Sequence, residues 1–309
     1  MKRTYGITGY GFIGKYVEEE MIKRGHKVVV MDHHDKRSLI ENDTEFFLGD
    51  VTDQVAMTEF AAHTQGIVHL AACLGTQETI KNPRPAALTN LMGGLNFLEA
   101  VAQYNIPGVY IAVGNYWMNN PYSITKNMIE RFCFMYNNDR GARVNIVRAV
   151  NAYGPRQSVA APFGSSKVRK ITPAFICRAL SGMPIEVYGD GQNVSDMVYV
   201  GDVAKALVNA LEKADKGVIF HESIECGPKE HHSVQEVAEL INKITGNPAG
   251  IKHLPMRPGE QAGVDVTAKF ETLKYVDMDY ADLTPLEDGM IKTIDYFKAT
   301  EGKEWVKQS

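Results

Sequence analysis

Tyr122 and Lys126 stand four residues apart in the stretch GNYWMNNPYSITK, residues 114–126. Four residues make about one helical turn, so on a helix both side chains reach one spot. A phenol with a pKa near 10 is a poor base at neutral pH. An ammonium beside it favours the phenolate, which can then take a hydroxyl proton while hydride leaves the same carbon. The developing oxyanion also needs a hydrogen-bond donor, and losing such a donor costs about 3–4 kcal/mol. Ala112, Val113, Gly114, Asn115, Tyr116 and Trp117 include no Ser or Thr hydroxyl. Asn115 could donate instead, and Tyr116, Thr76 and a water are the other candidates. Of fourteen tyrosines only Tyr122 has Lys four residues later. Roughly one such pair arises by chance in a chain like this, so its position carries the weight.

Hydride chemistry needs an acceptor. Gly9-Tyr10-Gly11-Phe12-Ile13-Gly14 is G-x-G-x-x-G between a strand-like segment and a helix pattern. Glycines permit the tight turn and let a pyrophosphate approach the backbone, where a helix N-terminus offers free N–H groups. Eighteen residues past Gly14, Asp32 closes the next apolar run. A carboxylate there accepts hydrogen bonds from a ribose 2′-hydroxyl and repels a 2′-phosphate, which favours NAD over NADP. His33, His34, Lys36 and Arg37 close by weaken that preference.

The elements that must position these groups alternate. Strand patterns fall at Thr4–Thr8, Lys27–Asp32, Thr44–Leu48, Ile67–Ala71, Val109–Val113 and Val144–Arg148. Helix patterns fall at Phe12–Arg24, Ala86–Tyr104 and Tyr122–Asn138. Val28-Val29-Val30-Met31 is a continuous apolar run, suited to a strand covered on both faces. Repeated β-α-β units predict a doubly wound parallel α/β sheet, with its ligand beyond the carboxyl ends of the strands. Tyr122 begins a helix just after the fifth strand. After about Asn151 the chain turns loop-rich. Helices follow near Thr172–Ser181, Asp202–Ala214 and Val234–Thr245, with a strand at Ile185–Tyr188. Ser233-Val-Gln-Glu236 is a capping box, and Asn247-Pro248 is expected to end the last of these helices. The expected division is an NAD-binding domain over 1–165, rejoined by 196–222, and a smaller mixed α/β C-terminal substrate lobe over the rest of 166–309.

With 309 residues and 44% hydrophobic composition, the chain can bury a large core. Its net charge of −4 lacks the basic excess of a nucleic-acid binder. No apolar run is long enough for a membrane span, and the N-terminus lacks a signal-peptide pattern. Cys73, Cys133, Cys177 and Cys226 are far apart, as in a cytoplasmic protein with reduced thiols. His33-His34 and His231-His232 are adjacent pairs in expected loops, poorly suited to share one metal, so no metal site is expected.

Together these residues resemble the extended short-chain dehydrogenase/reductase superfamily, in its nucleotide-sugar epimerase/dehydratase branch. The resemblance runs from about Thr4 to Tyr296. It rests on Thr8–Gly14, Asp32, Gly49-Asp50-Val51-Thr52-Asp53, His69-Leu-Ala-Ala72, Asn90 and Tyr122/Lys126. It continues through Arg148–Gln157, Val187–Gly191, Val198–Val203 and Arg257-Pro-Gly-Glu260. It implies a Rossmann fold that binds NAD through the glycine turn. Asp50 and Val51 should lie at the adenine, and Asp32, His33, Leu70-Ala71-Ala72, Asn90 and Val113 along the cofactor. Lys126 should hold the nicotinamide ribose. Thr76 should stand near the sugar ring, and Asn151, Tyr188 and Arg257 should face a nucleotide-sugar. The helices Ala86–Tyr104 and Tyr122–Asn138 should form a homodimer interface.

Three departures stand out. The glycine turn is one residue shorter than the branch's usual T-G-x-x-G-x-x-G. The segment before Tyr122 is short and lacks both the Ser/Thr and the Asp-Glu pair that sugar 4,6-dehydratases carry there. Ser195 replaces the Arg that usually precedes Asp196. The leading expectation is an NAD-dependent nucleotide-sugar epimerase that oxidises its sugar transiently, at C4, and returns the hydride. The alternatives are a dehydratase or oxidoreductase on a related sugar, drawing on groups such as Glu78 or Cys73, and a non-catalytic NAD-binding regulatory protein.

Overall fold

The computed structural model describes residues 2–257 and 260–300. Its first half runs β1 (Thr4–Thr8), α1 (Phe12–Lys23), β2 (Lys27–Asp32), β3 (Glu45–Leu48), α2 (Gln54–Ala62) and β4 (Ile67–His69). Two short helical pieces, α3 (Glu78–Lys81) and α4 (Pro83–Ala86), lead into α5 (Gly93–Gln103), β5 (Pro107–Val113), α6 (Pro121–Asp139) and β6 (Arg143–Ala149). The second half runs β7 (Asn151–Tyr153), α7 (Ile171–Leu180), β8 (Ile185–Tyr188), β9 (Val194–Ser195), β10 (Met197–Tyr199) and α8 (Val200–Asp215). It ends with β11 (Ile224–Cys226), α9 (Val234–Thr245), β12 (Ile251–Leu254), β13 (Asp265–Val266) and α10 (Leu286–Thr300).

Seven parallel strands form the main sheet in the order β3-β2-β1-β4-β5-β6-β11. The order reverses between β1 and β4, which opens a crevice at their carboxyl ends. The apolar run in β2 explains how both faces are covered, because successive strand side chains point to opposite sides. Val28 and Val30 pack with Val17 and Met21 of α1 and Leu207 and Leu211 of α8. Val29 and Met31 pack with Met57 and Phe60 of α2 and Phe97 of α5. β5 repeats the division, with Val109 and Ile111 on the first face and Tyr110 and Ala112 on the second. A third cluster, including Phe175 and Ile176 of α7, Val237 and Ile241 of α9 and Met290, Ile294 and Phe297 of α10, holds the smaller lobe together.

Four expectations change. The helix expected over Ala86–Tyr104 contains a π-helical turn at Ala87–Met92, a distortion that recurs at functional sites. The strand expected to reach Ala71 stops at His69, and the chain continues as a loop. Gly246, at φ 68°, ends α9 ahead of Asn247-Pro248, because the left-handed C-cap suits glycine. The seventh strand, β11, begins at Ile224 and pairs with β6, so sheet residues continue past 222.

Candidate active site

A cavity of about 610 Å³ opens at the reversal point of the sheet. The Gly9–Gly14 turn supplies Gly9, Gly11, Phe12, Ile13 and Gly14, and Asp32, His33, Asp50 and Val51 line the same end. Leu70, Ala71, Ala72 and Thr76 from the loop after β4 line the middle. Val113, Asn115, Tyr122 and Lys126 line it from the β5–α6 side, and Asn151, Tyr188 and Arg257 from the far side. Of the residues expected to contact cofactor or substrate, Asn90 alone does not line the cavity, and the alternative groups Tyr116 and Cys73 do not line it either. Asn90 lies buried in the π-helical turn. Its side-chain oxygen accepts from Cys73 N–H at 2.8 Å, and its amide donates to the Thr125 hydroxyl at 2.9 Å. Asn90 therefore ties the β4 loop to α6, behind the cavity wall.

The glycine turn fits a dinucleotide. Gly9 has φ 86°, and a Cβ there would stand 2.6 Å from the Ala71 backbone nitrogen. A side chain would thus push the β1 turn off the β4 loop. A Cβ on Gly11 would meet nothing within 4 Å, so the space beside it is an open cradle at the start of α1. Gly11 caps α1 with no side-chain hydrogen bond, which leaves the first helical N–H groups for an anion. At the end of β2, Asp32 accepts from Tyr10 N–H at 2.9 Å, His34 N–H at 3.0 Å and the Lys36 ammonium at 2.7 Å. Burial would raise the Asp32 pKa, but these donors hold it below its ordinary value.

The Tyr122/Lys126 pair sits on the first turns of α6. Asn120 caps this helix by accepting from Ser123 N–H at 2.9 Å, and Pro121 occupies the first helical position, where its missing N–H costs nothing. Lys126 is 2% exposed, and its Nζ is buried without a hydrogen-bond partner, 4.1 Å from the centre of the Tyr110 ring. Burial pushes its pKa down to about 7, and burial pushes Tyr122 up to about 12. An orphaned buried ammonium beside a cavity is a ready donor to ligand hydroxyls. Beneath it His69 is held neutral by burial and by Lys126, its pKa down to about 3.

Asn115 lies in the cavity wall beside Tyr122. Its side-chain oxygen accepts from the Ser123 hydroxyl at 3.3 Å, and its amide nitrogen lies 3.1 Å from the Met118 sulfur. Ser123 was not among the expected site residues because the hydroxyl was sought upstream of Tyr122, and this one lies just downstream. Tyr116 is drawn away: its ring stacks on Arg148, 3.8 Å from guanidinium to ring centre. Arg148 in turn pairs with Glu130 and Glu225.

At the far end, guanidinium groups flank Tyr188. Arg257 lies 4.6 Å and Arg169 5.5 Å from its ring centre. Arg169 also donates to the Tyr188 hydroxyl at 3.1 Å, and Arg257 pairs with Glu260. Asn151 donates to the Ser195 hydroxyl and, at 3.3 Å, to the Asp196 carbonyl. Arg169 and Lys170, which were not among the expected site residues, both line the cavity. Among the described residues no cluster of three or more His, Cys, Asp or Glu could hold a metal ion. Among the described residues no helix is long and apolar enough to cross a membrane.

The profile of the NAD dependent epimerase/dehydratase family matches residues 6–116 and 110–227. The chain belongs to this family. A relative from Bacillus cytotoxicus, a UDP-N-acetyl-alpha-D-glucosaminuronate decarboxylase, is 28% identical over 97% of this chain and 99% of its own length. The UDP-glucose 4-epimerase of Thermotoga maritima, solved with UDP-glucose, superposes with a TM-score of 0.84. It is 26% identical, covering 96% of this chain and 98% of that one. The UDP-glucose 4-epimerase of Thermus thermophilus, solved in complex with NAD, gives a TM-score of 0.81 at 26% identity, over 96% and 99% of the two chains. The protein is therefore an enzyme of the NAD-dependent epimerase/dehydratase family with a nucleotide-sugar branch fold. Its relatives are named for more than one reaction.

Proposed function

We propose that this protein is an NAD-dependent nucleotide-sugar epimerase acting by transient oxidation at C4. One observation carries the reading. Tyr122 and Lys126 share a cavity with the glycine turn, and the β5–α6 loop beside them brings an amide and no carboxylate. Oxidation and hydride return need one base at the reacting hydroxyl and one donor to its oxygen. Ordinary 4,6-elimination needs a further acid and base beside them, and residues 112–121 contain neither Asp nor Glu.

In this reading Tyr122 takes the proton of the sugar hydroxyl and later gives it back. NAD, when bound, supplies the acceptor and donor of hydride, and its positive ring favours the phenolate. Lys126 would donate to the nicotinamide ribose of the bound cofactor, and the positive charges gathered there would favour the Tyr122 phenolate against the burial that raises its pKa. Asn115, its carbonyl held by Ser123, turns its amide N–H to the sugar oxygen as negative charge grows there. Asp32 receives the adenosine ribose, and Asp50 and Val51 border the adenine. Asn151, Tyr188 and Arg257 receive the nucleotide part, with Thr76 at the sugar. The Thermotoga maritima epimerase, solved with UDP-glucose, supports this class of substrate.

The enzyme is further read as a homodimer. Ile129, Cys133 and Tyr136 of α6 are buried in the core, whereas Ile124 and Met128 stay 45% and 43% exposed. Leu88 and Met92 on the neighbouring π-helical turn are likewise exposed. This apolar strip suits the same two helices of a second copy. The test of the function is incubation of the NAD-loaded protein with UDP-, GDP- and dTDP-sugars. A C4 epimer of unchanged mass is expected, and a product lighter by a water would replace this reading with dehydration.

A further inference from the structure

We propose that Glu78 and Lys170 clasp one hydroxyl of the bound sugar, Glu78 accepting its hydrogen while Lys170 donates to its oxygen. This rests on the nucleotide-sugar reading of the cavity and names the group that would select among sugars. Glu78 opens α3 on the loop that carries Thr76, and Lys170 is the residue before α7. The two come from opposite lobes and line the same cavity as Tyr122.

Three of the other cations of the cavity are bonded to side chains, and the fourth, Lys126, rests on a ring face without a hydrogen bond. Lys36 is bonded to Asp32, Arg169 to Glu186 and Tyr188, and Arg257 to Glu260. Lys170 has neither an ion pair nor a side-chain hydrogen bond among the described residues. It is partly buried, and burial lowers its pKa while the field of Glu78 opposes that shift. The two charges therefore feel each other across a gap wider than an ion pair. Glu78 is exposed and Lys170 half-buried, so water reaches both charges in the empty cavity, and a hydroxyl that bridges them exchanges that water for two charge-assisted hydrogen bonds.

The chemistry of that group follows from the signs. A hydroxyl both donates and accepts, so it satisfies both sides. A carboxylate would suit Lys170 but meet like charge at Glu78. An ammonium would suit Glu78 but meet like charge at Lys170. The clasp therefore reads a neutral, hydroxylated position of the sugar and disfavours a charged substituent at that position.

The experiment uses the NAD-loaded protein and measures calorimetric affinity for UDP-, GDP- and dTDP-glucose. The tightest binder is then compared with its 2-, 3- and 6-deoxy analogues. One analogue is expected to bind wild type about 10–100-fold more weakly, the usual effect of losing a hydrogen bond to a charged group. That penalty should shrink to within about 3-fold in both Lys170→Met and Glu78→Gln, since coupled groups are non-additive. Retained NAD in each variant reports that the fold is intact, and Glu78→Gln alone decides the matter if Lys170→Met misfolds. An undiminished penalty in the variants, or parent-sugar affinity unchanged by them, overturns the clasp while leaving the nucleotide-sugar reading standing. Failure of every nucleotide-sugar to bind wild type overturns both.

Discussion

Ser123 donates its hydroxyl hydrogen to the side-chain oxygen of Asn115 across 3.3 Å, bridging the loop before Tyr122 to the residue after it. The bond fixes which end of the amide carries its donors. The remaining neighbour of the Asn115 nitrogen is the Met118 sulfur, a weak acceptor that competes poorly with an oxyanion. Asn115→Ala is thus expected to lower kcat by about 100–1000-fold, as for other lost oxyanion donors. Ser123→Ala should lower kcat less, about 10-fold, by loosening the amide. Steady-state kinetics with a cofactor assay of each variant checks both, and the NAD content should match wild type.

The Lys126 ammonium gives the clearest dependence on pH. Its pKa in the folded, ligand-free protein is about 7, against an ordinary 10.5. Below pH 7 the buried cation is present in full, and so is its penalty. As pH rises from about 7 towards 10.5 the folded protein has already lost this proton while the unfolded chain still holds it, so stability increases. Lys126→Met should therefore stabilise the cofactor-free protein, by roughly 2–4 kcal/mol below pH 7. The gain should fade as the pH approaches 10.5. Urea unfolding at a series of pH values measures it, and the same variant should be nearly inactive.

Asp32 and Lys36 make opposite demands on the cofactor. The carboxylate suits a ribose 2′-hydroxyl, while the ammonium 2.7 Å away would suit a 2′-phosphate once freed. Asp32→Asn is expected to weaken NAD binding by about 10–100-fold and to improve NADP binding relative to wild type. Fluorescence titration with both dinucleotides reads the ratio. Lys36→Ala should move selectivity the other way, towards NAD.

The flanking of Tyr188 by Arg169 and Arg257 concerns binding more than chemistry. Arg257→Ala and Tyr188→Ala should raise KM for the nucleotide-sugar by about 10-fold while changing kcat little, as expected when uniform binding is lost. A matching loss in kcat would mean that these groups act at the reacting carbon.

Much of this architecture is legible in local pattern. Val28–Met31 reads as a strand covered on both faces, and the sheet divides its side chains between the two helix layers. The glycine turn, Asp32 and the Tyr122/Lys126 pair lie in separate segments, yet βαβ topology forces their ends to one crevice. Features decided by tertiary contact are less legible. β11 is only Ile224–Cys226, with too few residues to show a period, and its place is set by pairing with β6. α10 does carry a readable stripe at Met290, Ile294 and Phe297, which the sequence reading passed over. Asn90 was expected along the cofactor only through the family resemblance. Its buried contacts with Cys73 and Thr125 depend on a π-helical turn that no propensity announces.

The most direct test of transient oxidation is the fate of the hydrogen on C4. A nucleotide-hexose deuterated at C4 would be incubated with the NAD-loaded enzyme and with its Tyr122→Phe variant, and the products analysed by NMR and mass spectrometry. The account predicts an inverted C4 centre that keeps its deuterium, a product of unchanged mass, and no conversion by Tyr122→Phe although NAD stays bound. Deuterium lost to solvent, a product lighter by water or carbon dioxide, or a fully active Tyr122→Phe would contradict it.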